Sequence, residues 1–506
     1  MRDFDWKSKL TCHGCIIGIL ILTTALRLWH LNDSLWYDEI LTLTQFVKLP
    51  ASELIHTYGS LNNHILYTWL AKLSVILFGE TAFSLRLPAV LFGIGSIFLA
   101  WRLITRLGFP NEALICALLL SLSYHHVWFS QNARGYTAIL FFALLGSLYL
   151  MSALQGNNRR DWTKFGLCAA AALLTHLSSV FFLLAQGGLV LVWVWCTHKS
   201  ERRASLFRRM EGPLIAFGLC VLIVGAVFVP LISEMGGAFG KAAGPSSEIA
   251  TQVSKSHTDI QEWKNPVWTV FEILRSFGPV AFAAPIAITL ALWGAIRMIR
   301  VQPIVVGGFF LSIPITLIAL LLSGMRIWPR YFFVDIAVLL AAIVVGAFAL
   351  ARFFARRFGG ERELLLRHTF TTLGSVAMVG AFLWLLRPNY ETPKQDFTGA
   401  LAYVESIRAP DDLVVTVGLA DVAYGGYLAP TWAPVKTLTE FTAKRSTQRQ
   451  TFIVIAFPKH MQRKHPDIAH VLQTEFTQLR RFRGTLAGGD ILIFSDLSAP
   501  ARAPAK

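Results

Sequence analysis

A succession of apolar runs, each about 20 residues long, constrains the fold of this chain more than any other feature. A run of that length can cross the hydrocarbon core of a bilayer as a helix. Of the 506 residues 54% are apolar and only 15% are charged, which excludes an ordinary soluble domain. The sequence therefore predicts an α-helical polytopic membrane protein with about eleven crossings. They are placed at 11–31, 87–107, 111–129, 134–154, 164–179, 180–197, 213–232, 278–298, 303–322, 331–351 and 368–387.

Basic clusters between the runs set the predicted orientation. The net charge of +16 would suggest nucleic acid in a soluble protein, but here it follows the positive-inside pattern, so no nucleic acid partner is expected. The run His64–Gly79 is short and contains Lys72, and placing it on the membrane surface keeps the basic clusters on one side. This assignment places the N-terminus in the cytoplasm.

The domain boundaries follow from this topology. A transmembrane domain of 1–387 includes a first outer loop, 32–86, with helices lying on the membrane. Beyond Arg387, strand-like and helix-like patterns alternate, which predicts a small extracytoplasmic α/β domain over 388–498. The last residues, 499–506, are expected to form a disordered tail.

The sequence indicates no cofactor. The six cysteines lie in or beside apolar runs, so neither a disulfide framework nor a zinc site is predicted. His125, His126 and His176 lie near outward helix ends, but their spacing matches no standard ligand pattern. A divalent metal is therefore left open and is not part of the predicted site.

The stretch LNDSLWYDE, directly after the first run, contains two adjacent acids, Asp38 and Glu39, behind Trp36 and Tyr37. One interpretation is an interfacial aromatic belt followed by solvated acids. The other is a catalytic carboxylate held at the boundary between water and lipid. Position alone does not separate the two.

Three arginines on the outer side share a structural position, because Arg86, Arg134 and Arg330 each stand where an inward-running helix begins. A cation is unfavourable at that end of the helix dipole, and a bound anion would remove the conflict. Snorkelling to the interface is the alternative for each arginine alone. Three together favour a phosphate site, to which the hydroxyls of Tyr136 and Tyr331 could also donate. The first loop adds Asn63 and His64 as polar groups.

Several motifs resemble the bacterial GT-C glycosyltransferases of the protein O-mannosyltransferase and aminoarabinose-transferase type. In chain order they are WYDE, NNHILYTWL, SLRLPAVLFGIGS, SQNARGY, PRYF, QDFTGALAYVESI and DDLVV, and they cover nearly the whole chain. The resemblance implies a GT-C fold and transfer of a sugar from a polyprenyl-phosphate carrier to an acceptor on the outer face.

The resemblance also implies that Asp38 corresponds to the base, with Glu39 beside it. From their residue types and positions, we expect substrate contacts from Asn63, His64, Asn132 and Tyr136. The phosphate is expected to be held by Arg86, Arg134, Arg330, Tyr331, Lys72 and Arg326.

Two departures from the pattern affect the site. His64 is followed by Ile65 and Leu66 where related chains often have two prolines, and Asn132 stands where they commonly have an acid. A second acidic group near the site is therefore in doubt.

The expected partners are a polyprenyl-phosphate-linked sugar, membrane lipids and an acceptor glycan, lipid or protein. Alternatives are transfer of a lipid-pyrophosphate-linked oligosaccharide, a lipid or solute transporter, and a non-catalytic membrane scaffold. A transporter would concentrate its ionisable residues near mid-membrane, whereas this chain concentrates them at the outer edge.

Overall fold

A computed structural model describes residues 6–54, 57–59, 63–198, 204–243, 264–445, 449–486 and 488–496. The predicted tail at 499–506 lies outside the described residues, as does 244–263 in the segment between the predicted crossings 213–232 and 278–298.

Helices dominate the chain. In order they are α1 (Trp6–Leu28), α2 (Tyr37–Thr42), α3 (Ala51–Leu54), α4 (Ile65–Phe78), α5 (Ala82–Arg106), α6 (Pro110–Leu122), α7 (Tyr124–Ser130), α8 (Tyr136–Gly156), α9 (Arg159–Thr175), α10 (Ser179–His198), α11 (Ala204–Phe228), α12 (Ile232–Ala243), α13 (Pro266–Ser276), α14 (Ala284–Val301), α15 (Pro303–Leu322), α16 (Ile336–Phe358), α17 (Glu363–Leu386), α18 (Pro388–Glu391), α19 (Phe397–Ile407), α20 (Leu419–Ala423), α21 (Leu438–Lys444), α22 (Pro458–Lys464) and α23 (Pro466–Glu475).

Each predicted crossing overlaps helical structure, and all but 111–129, which spans α6 and α7, lie mainly on a single helix. Within the described residues, eight helical stretches are long and apolar enough to span a membrane, and α6 with α7, bent by 60°, makes a ninth if the pair is one span. Large apolar side chains such as Leu292 and Leu373 are exposed on α14 and α17, as expected for helices facing lipid. The chain is thus a multi-pass membrane protein. The apolar part of α1, His13–Leu28, and the 17-residue α9 fall short of the same test, so the count of eleven stays a prediction.

The chain divides into two compact units. The first comprises the described residues of Met1–Trp29, Ile55–Ser74 and Arg86–Leu386, and the second those of His30–Leu54, Val75–Leu85 and Arg387–Lys506. The predicted first outer loop is therefore shared between the units, and α4 begins in one and ends in the other.

Two local predictions about helices are confirmed. The continuous apolar stretch 164–197 is split where expected, since α9 ends at Thr175 and α10 begins at Ser179. Two segments of the first loop, SLWYDEILTLTQFV and HILYTWLAKLSVILF, have apolar patterns that predict helices. They correspond to α2, continued by one wide turn over Leu43–Val47, and to α4. At 14 residues α4 is too short to cross a bilayer unaided.

A buried polar network fixes the bend between α6 and α7. Arg27, fully buried near the end of α1, donates to the Ser121 carbonyl (3.2 Å), to Ser130 Oγ (3.2 Å) and to His126 Nδ1 (2.7 Å). Because arginine only donates, His126 Nδ1 is the acceptor, and its Nε2–H donates to Ser96 Oγ at 2.9 Å. Both ring nitrogens of His126 are therefore used in joining helices, which argues against a role as a metal ligand.

The second unit contains a five-stranded sheet, with strands β1 (Leu413–Val417), β2 (Ala433–Val435), β3 (Thr451–Ala456), β4 (Phe476–Phe482) and β5 (Ile491–Asp496). Their order is β2-β1-β3-β5-β4. β1 runs parallel to β2 and β3, and β5 is antiparallel to β3 and β4. The predicted C-terminal α/β domain is confirmed.

The burial of strand β3 explains why its sequence pattern predicted a strand. It is buried along its whole length, and such a strand appears in a sequence as a continuous apolar run. The edge strand β4 is buried only at its two ends and exposes charged residues between them, as edge strands commonly do. It therefore carried no strand signal, and β2, at three residues, was too short to carry one.

Candidate active site

The segment between α7 and α8, Gln131–Gly135, forms the centre of a buried cluster in the first unit. Asn132 and Arg134 are buried there, and Tyr136 follows as the first residue of α8. The backbone N–H of Gly135 donates to Nδ1 of His64 at 3.0 Å. This bond joins the first-loop His64 to the SQNARGY motif.

Glycine is required at this junction. A Cβ on Gly135 would lie 2.4 Å from Thr175 Cγ2 and 2.9 Å from His64 Nδ1. The first distance is well inside van der Waals contact, and the second would disturb the hydrogen-bonded ring. The close approach of three segments therefore depends on the missing side chain.

The contact with Gly135 determines the tautomer of His64. Since Nδ1 accepts a backbone N–H, the proton of the neutral ring lies on Nε2. Burial, followed by the effects of Arg134, His176 and Arg330 in that order, holds the pKa of His64 well below its ordinary value. His64 is thus neutral at physiological pH. Its Nε2 is buried and meets no hydrogen-bond acceptor among the described residues, so it is a donor suited to an oxygen of a ligand.

Aromatic and imidazole rings surround this donor. The ring centroid of His64 lies 4.5 Å from that of His176 and 5.4 Å from that of Tyr136, and the guanidinium of Arg134 lies 5.9 Å from the Tyr136 ring. Tyr331 lies beside His176, with ring centroids 6.4 Å apart. The structure therefore brings together four residues predicted from the sequence, His64, Arg134, Tyr136 and Tyr331.

Sequence reasoning did not assign His176 to the substrate site. It lies in the short break between α9 and α10, and its Nδ1 accepts the backbone N–H of Ser178 at 3.1 Å. Like His64, it therefore carries its ring proton on Nε2 when neutral. The available signal was the histidine at the point where an over-long apolar run had to break. No group of three potential metal ligands occurs in the part of the chain that the structure describes.

Three further arginines of the predicted phosphate site, Arg86, Arg326 and Arg330, also belong to the first unit. Arg86 is buried in the first turns of α5, and Arg330 lies in a 3₁₀ segment, Pro329–Asp335, before α16. Arg330 and Arg326 both lie over the Trp328 ring, at 5.2 and 6.0 Å from its centroid. Arg134 and Arg330 thus precede helices as predicted, whereas Arg86 lies within α5, because that helix begins four residues earlier, at Ala82.

Lys72 and Asn63 belong to the region of α4. Lys72 is half-buried in the middle of the helix. Asn63 donates through Nδ2 to the Thr57 carbonyl and accepts from Thr68 Oγ1, both at 3.0 Å. These contacts assign Asn63 to fixing the start of α4.

Asp38 lies in the first turn of α2, in the second unit, and is half-buried. The preceding residue, Tyr37, donates its backbone N–H to Gln395 Oε1 at 3.0 Å, and Gln395 Nε2 donates to the Gly489 carbonyl at 2.8 Å. Burial, together with the Asp38 charge, raises the pKa of Tyr37 to about 12, so its hydroxyl stays protonated. The C-terminal part of the chain therefore fixes the helix start that presents Asp38.

Glu39 has a different environment from its neighbour. Its side chain is fully buried, and Oε2 accepts the backbone N–H of Trp36 at 3.2 Å. A glutamate at this position of a first turn satisfies a backbone donor that the helix leaves open. The observed contact gives Glu39 a structural function in orienting α2.

Comparison with known proteins adds to this picture. Residues 62–230 match the family model described as dolichyl-phosphate-mannose-protein mannosyltransferase. The chain is also similar to the crystal structure of ArnT from Cupriavidus metallidurans bound to undecaprenyl phosphate, with 15% identity, a TM-score of 0.53 and coverage of 97% of this chain and 98% of that chain. A second similar structure is the oligosaccharyltransferase AglB from Archaeoglobus fulgidus in complex with an inhibitory peptide and a dolichol-phosphate, with 11% identity, a TM-score of 0.50 and coverage of 99% and 76%. No curated protein sequence matches the chain.

The protein has the fold of the GT-C membrane glycosyltransferases, as these structures show. The predicted fold class and the resemblance noted in the motifs are thereby confirmed. The matched family segment, 62–230, contains His64, Arg134, Tyr136 and His176, so the buried cluster lies in the part of the chain that the family model recognises.

Replacing Gly135 by alanine tests the close approach at the centre of the cluster. We expect Gly135→Ala to lower the stability of the folded protein by about 1–3 kcal/mol, because the new Cβ overpacks against Thr175 and His64. Gly218→Ala in α11 is the matched control, since a Cβ there meets nothing within 4 Å. Thermal unfolding in detergent measures both, and equal midpoints for the two variants would contradict the assignment.

Proposed function

We propose that this chain is a bacterial inner-membrane glycosyltransferase that moves a monosaccharide from a polyprenyl-phosphate carrier to an acceptor hydroxyl on the outer face. The observation that carries the proposal is the buried, neutral His64, whose Nε2–H meets no acceptor among the described residues and lies in a cluster with Arg134, Tyr136 and His176. A phosphate or sugar oxygen supplies the missing acceptor. The similar ArnT structure was determined with undecaprenyl phosphate bound.

The chemistry of the donor fits a site rich in cations. When the bond between the sugar and the carrier breaks, negative charge develops on a phosphate that is stable without protonation. Fixed guanidinium and N–H donors stabilise the transition state, in which this charge develops, more than the ground state. The activation barrier is thereby lowered. We assign this role to Arg86, Arg134, Arg330 and Tyr331, with Lys72 and Arg326 as further cations.

The two histidines contribute differently from the arginines. Each accepts a backbone N–H at Nδ1, so each offers one Nε2–H and no net charge. A neutral donor holds a sugar hydroxyl or a phosphate oxygen in place without the cost of burying another cation. We propose that His64 and His176 fix the orientation of the donor, and that Tyr136 and Asn132 contact its sugar.

Asp38 is proposed as the base that takes the proton of the acceptor hydroxyl. A positioned carboxylate contributes on the order of 10² to 10⁴ in rate. Attack from the face opposite the departing phosphate inverts the anomeric configuration, and a single carboxylate is sufficient for that route. The reaction requires no redox cofactor, and assays with and without a chelator test whether a divalent metal takes part.

Transfer of a lipid-pyrophosphate-linked oligosaccharide is the second candidate, because the similarity to the oligosaccharyltransferase AglB extends over 99% of this chain. A labelled polyprenyl-phosphate monosaccharide and a labelled pyrophosphate-linked oligosaccharide, offered in parallel, separate the two. We expect turnover of the first donor only. The proposed orientation, with a cytoplasmic N-terminus and the α/β domain outside, is tested by protease accessibility in spheroplasts.

Exchanging the adjacent acids for their amides separates catalysis from structure. We expect Asp38→Asn to reduce transfer by on the order of 10² to 10⁴ with the fold intact, because the base is lost. Glu39→Gln is the matched control, since its amide oxygen still accepts the Trp36 N–H. It should retain most of the activity. Transfer at the wild-type rate by Asp38→Asn would exclude it as the base, and a comparable loss in Glu39→Gln would assign chemistry to Glu39.

Removing single arginines tests the phosphate site. Arg134→Ala and Arg330→Ala should each weaken binding of polyprenyl phosphate roughly 10- to 100-fold, the effect of losing a charged hydrogen bond. Arg297→Ala, at an exposed position on α14, is the control and should bind normally. Equilibrium binding of the carrier lipid to protein in nanodiscs gives the result directly. Unchanged affinity in both site variants would overturn the assignment.

A further inference from the structure

A cavity of about 450 Å³ lies wholly within the second unit, apart from the histidine and arginine cluster. Its volume is in the range of small-molecule sites, about 300–1,000 Å³. Three separate parts of the chain form it, namely the start of the first loop, the first residue of α5 and the C-terminal domain. Its lining consists of Asn32, Asp33, Ser34, Leu35, Ile40, Ala82, Pro393, Asp396, Thr398, Tyr427 and Leu428.

The polar groups of the lining are those that bind hydroxyls. Asp33 and Asp396 supply carboxylates, Ser34, Thr398 and Tyr427 supply hydroxyls, and no lysine or arginine lines the cavity. Asp396 Oδ1 accepts the backbone N–H of Gly399 at 2.9 Å, which fixes the carboxylate at the start of α19. Next to the lining, Lys48 Nζ lies 5.3 Å from the Tyr427 ring centroid and pairs with Glu80 at 2.8 Å, and His30 Nδ1 contacts the Asp33 carboxylate at 3.0 Å. The lining itself consists of carboxylates and hydroxyls, which favour polyols and amines over phosphate.

The position of the cavity separates it from the proposed base. Ile40, which lines the cavity, follows Asp38 by two residues on α2. Two residues correspond to roughly 200° of rotation around a helix, so the two side chains leave α2 on opposite sides. A ligand in the cavity is therefore not the group whose hydroxyl reacts at Asp38.

We propose that this cavity is an accessory binding site for a sugar residue of the acceptor, uncharged or bearing an amino group, at a distance from the hydroxyl that reacts. The proposal rests on the glycosyltransferase function proposed above. It implies that the acceptor is a glycan whose recognised residue carries no phosphate, because two carboxylates would repel one.

Binding of simple sugars to the full-length protein in nanodiscs tests this site. Saturation-transfer NMR is carried out with glucose, glucosamine and glucose 6-phosphate as probes. We expect binding of glucose or glucosamine and none of glucose 6-phosphate. A signal from glucosamine alone shows that the site binds an amino sugar. Signals from both glucose and glucosamine show that the site recognises sugar hydroxyls.

Asp396→Asn is the informative variant. Asparagine caps a helix as well as aspartate does, so the fold is retained while the charge is lost. We expect the affinity for the bound sugar to fall about tenfold. Asp411→Asn, at an exposed position outside the lining, is the control. Should Asp396→Asn unfold, Asp33→Asn replaces it with the same expectation.

The outcomes distinguish this site from the proposed reaction. Asp38→Asn should still bind the sugar while transfer is lost. Sugar binding without any transfer by the wild type would refute the function and leave the cavity as a sugar site. Unchanged affinity in a folded Asp396→Asn variant, absence of sugar binding, or equal binding of glucose 6-phosphate would overturn the proposal.

Discussion

The hydrogen bond from the Gly135 N–H to His64 Nδ1 is the interaction on which the site of the first unit depends. It joins residues 71 positions apart in the chain, and it sets the tautomer of the imidazole. Burial disfavours protonation of the ring most, and the nearby charge of Arg134 adds to this effect. A neutral N–H donor in a cationic cluster is the result, and only glycine at position 135 permits the contact.

Buried polar groups elsewhere in the first unit follow the same logic. Arg27 donates to carbonyl and hydroxyl oxygens and to the neutral His126, so its charge is spread over several acceptors in an apolar setting. This network holds the bend between α6 and α7, from which the chain continues into Gln131–Gly135. In a low-dielectric interior these buried polar groups need hydrogen-bond partners. The network that they form therefore positions the segment that contains Arg134.

The acidic residues of the second unit have different environments and different roles. Asp38 lies at a helix start that Gln395 fixes through the Tyr37 backbone, whereas Glu39 accepts the backbone N–H of Trp36. The same unit contains the cavity lined by Asp33 and Asp396. One short stretch of the first loop therefore supplies a proposed base, a helix-capping acid and one wall of a proposed sugar site.

The sequence by itself determined the membrane class, the helix at every predicted crossing, the split near His176 and the C-terminal α/β domain, because these depend on local hydrophobic periodicity and run length. Residue type and position relative to helix ends also made Arg134 and Arg330 candidates for a phosphate site, and the family resemblance made Asp38 a candidate base. Only the tertiary structure decided that His176 stands beside His64, that Glu39 caps its helix and that the first loop is divided between two units. Those features depend on contacts between distant segments, which no local pattern encodes, and on which backbone N–H groups are left for a side chain to satisfy.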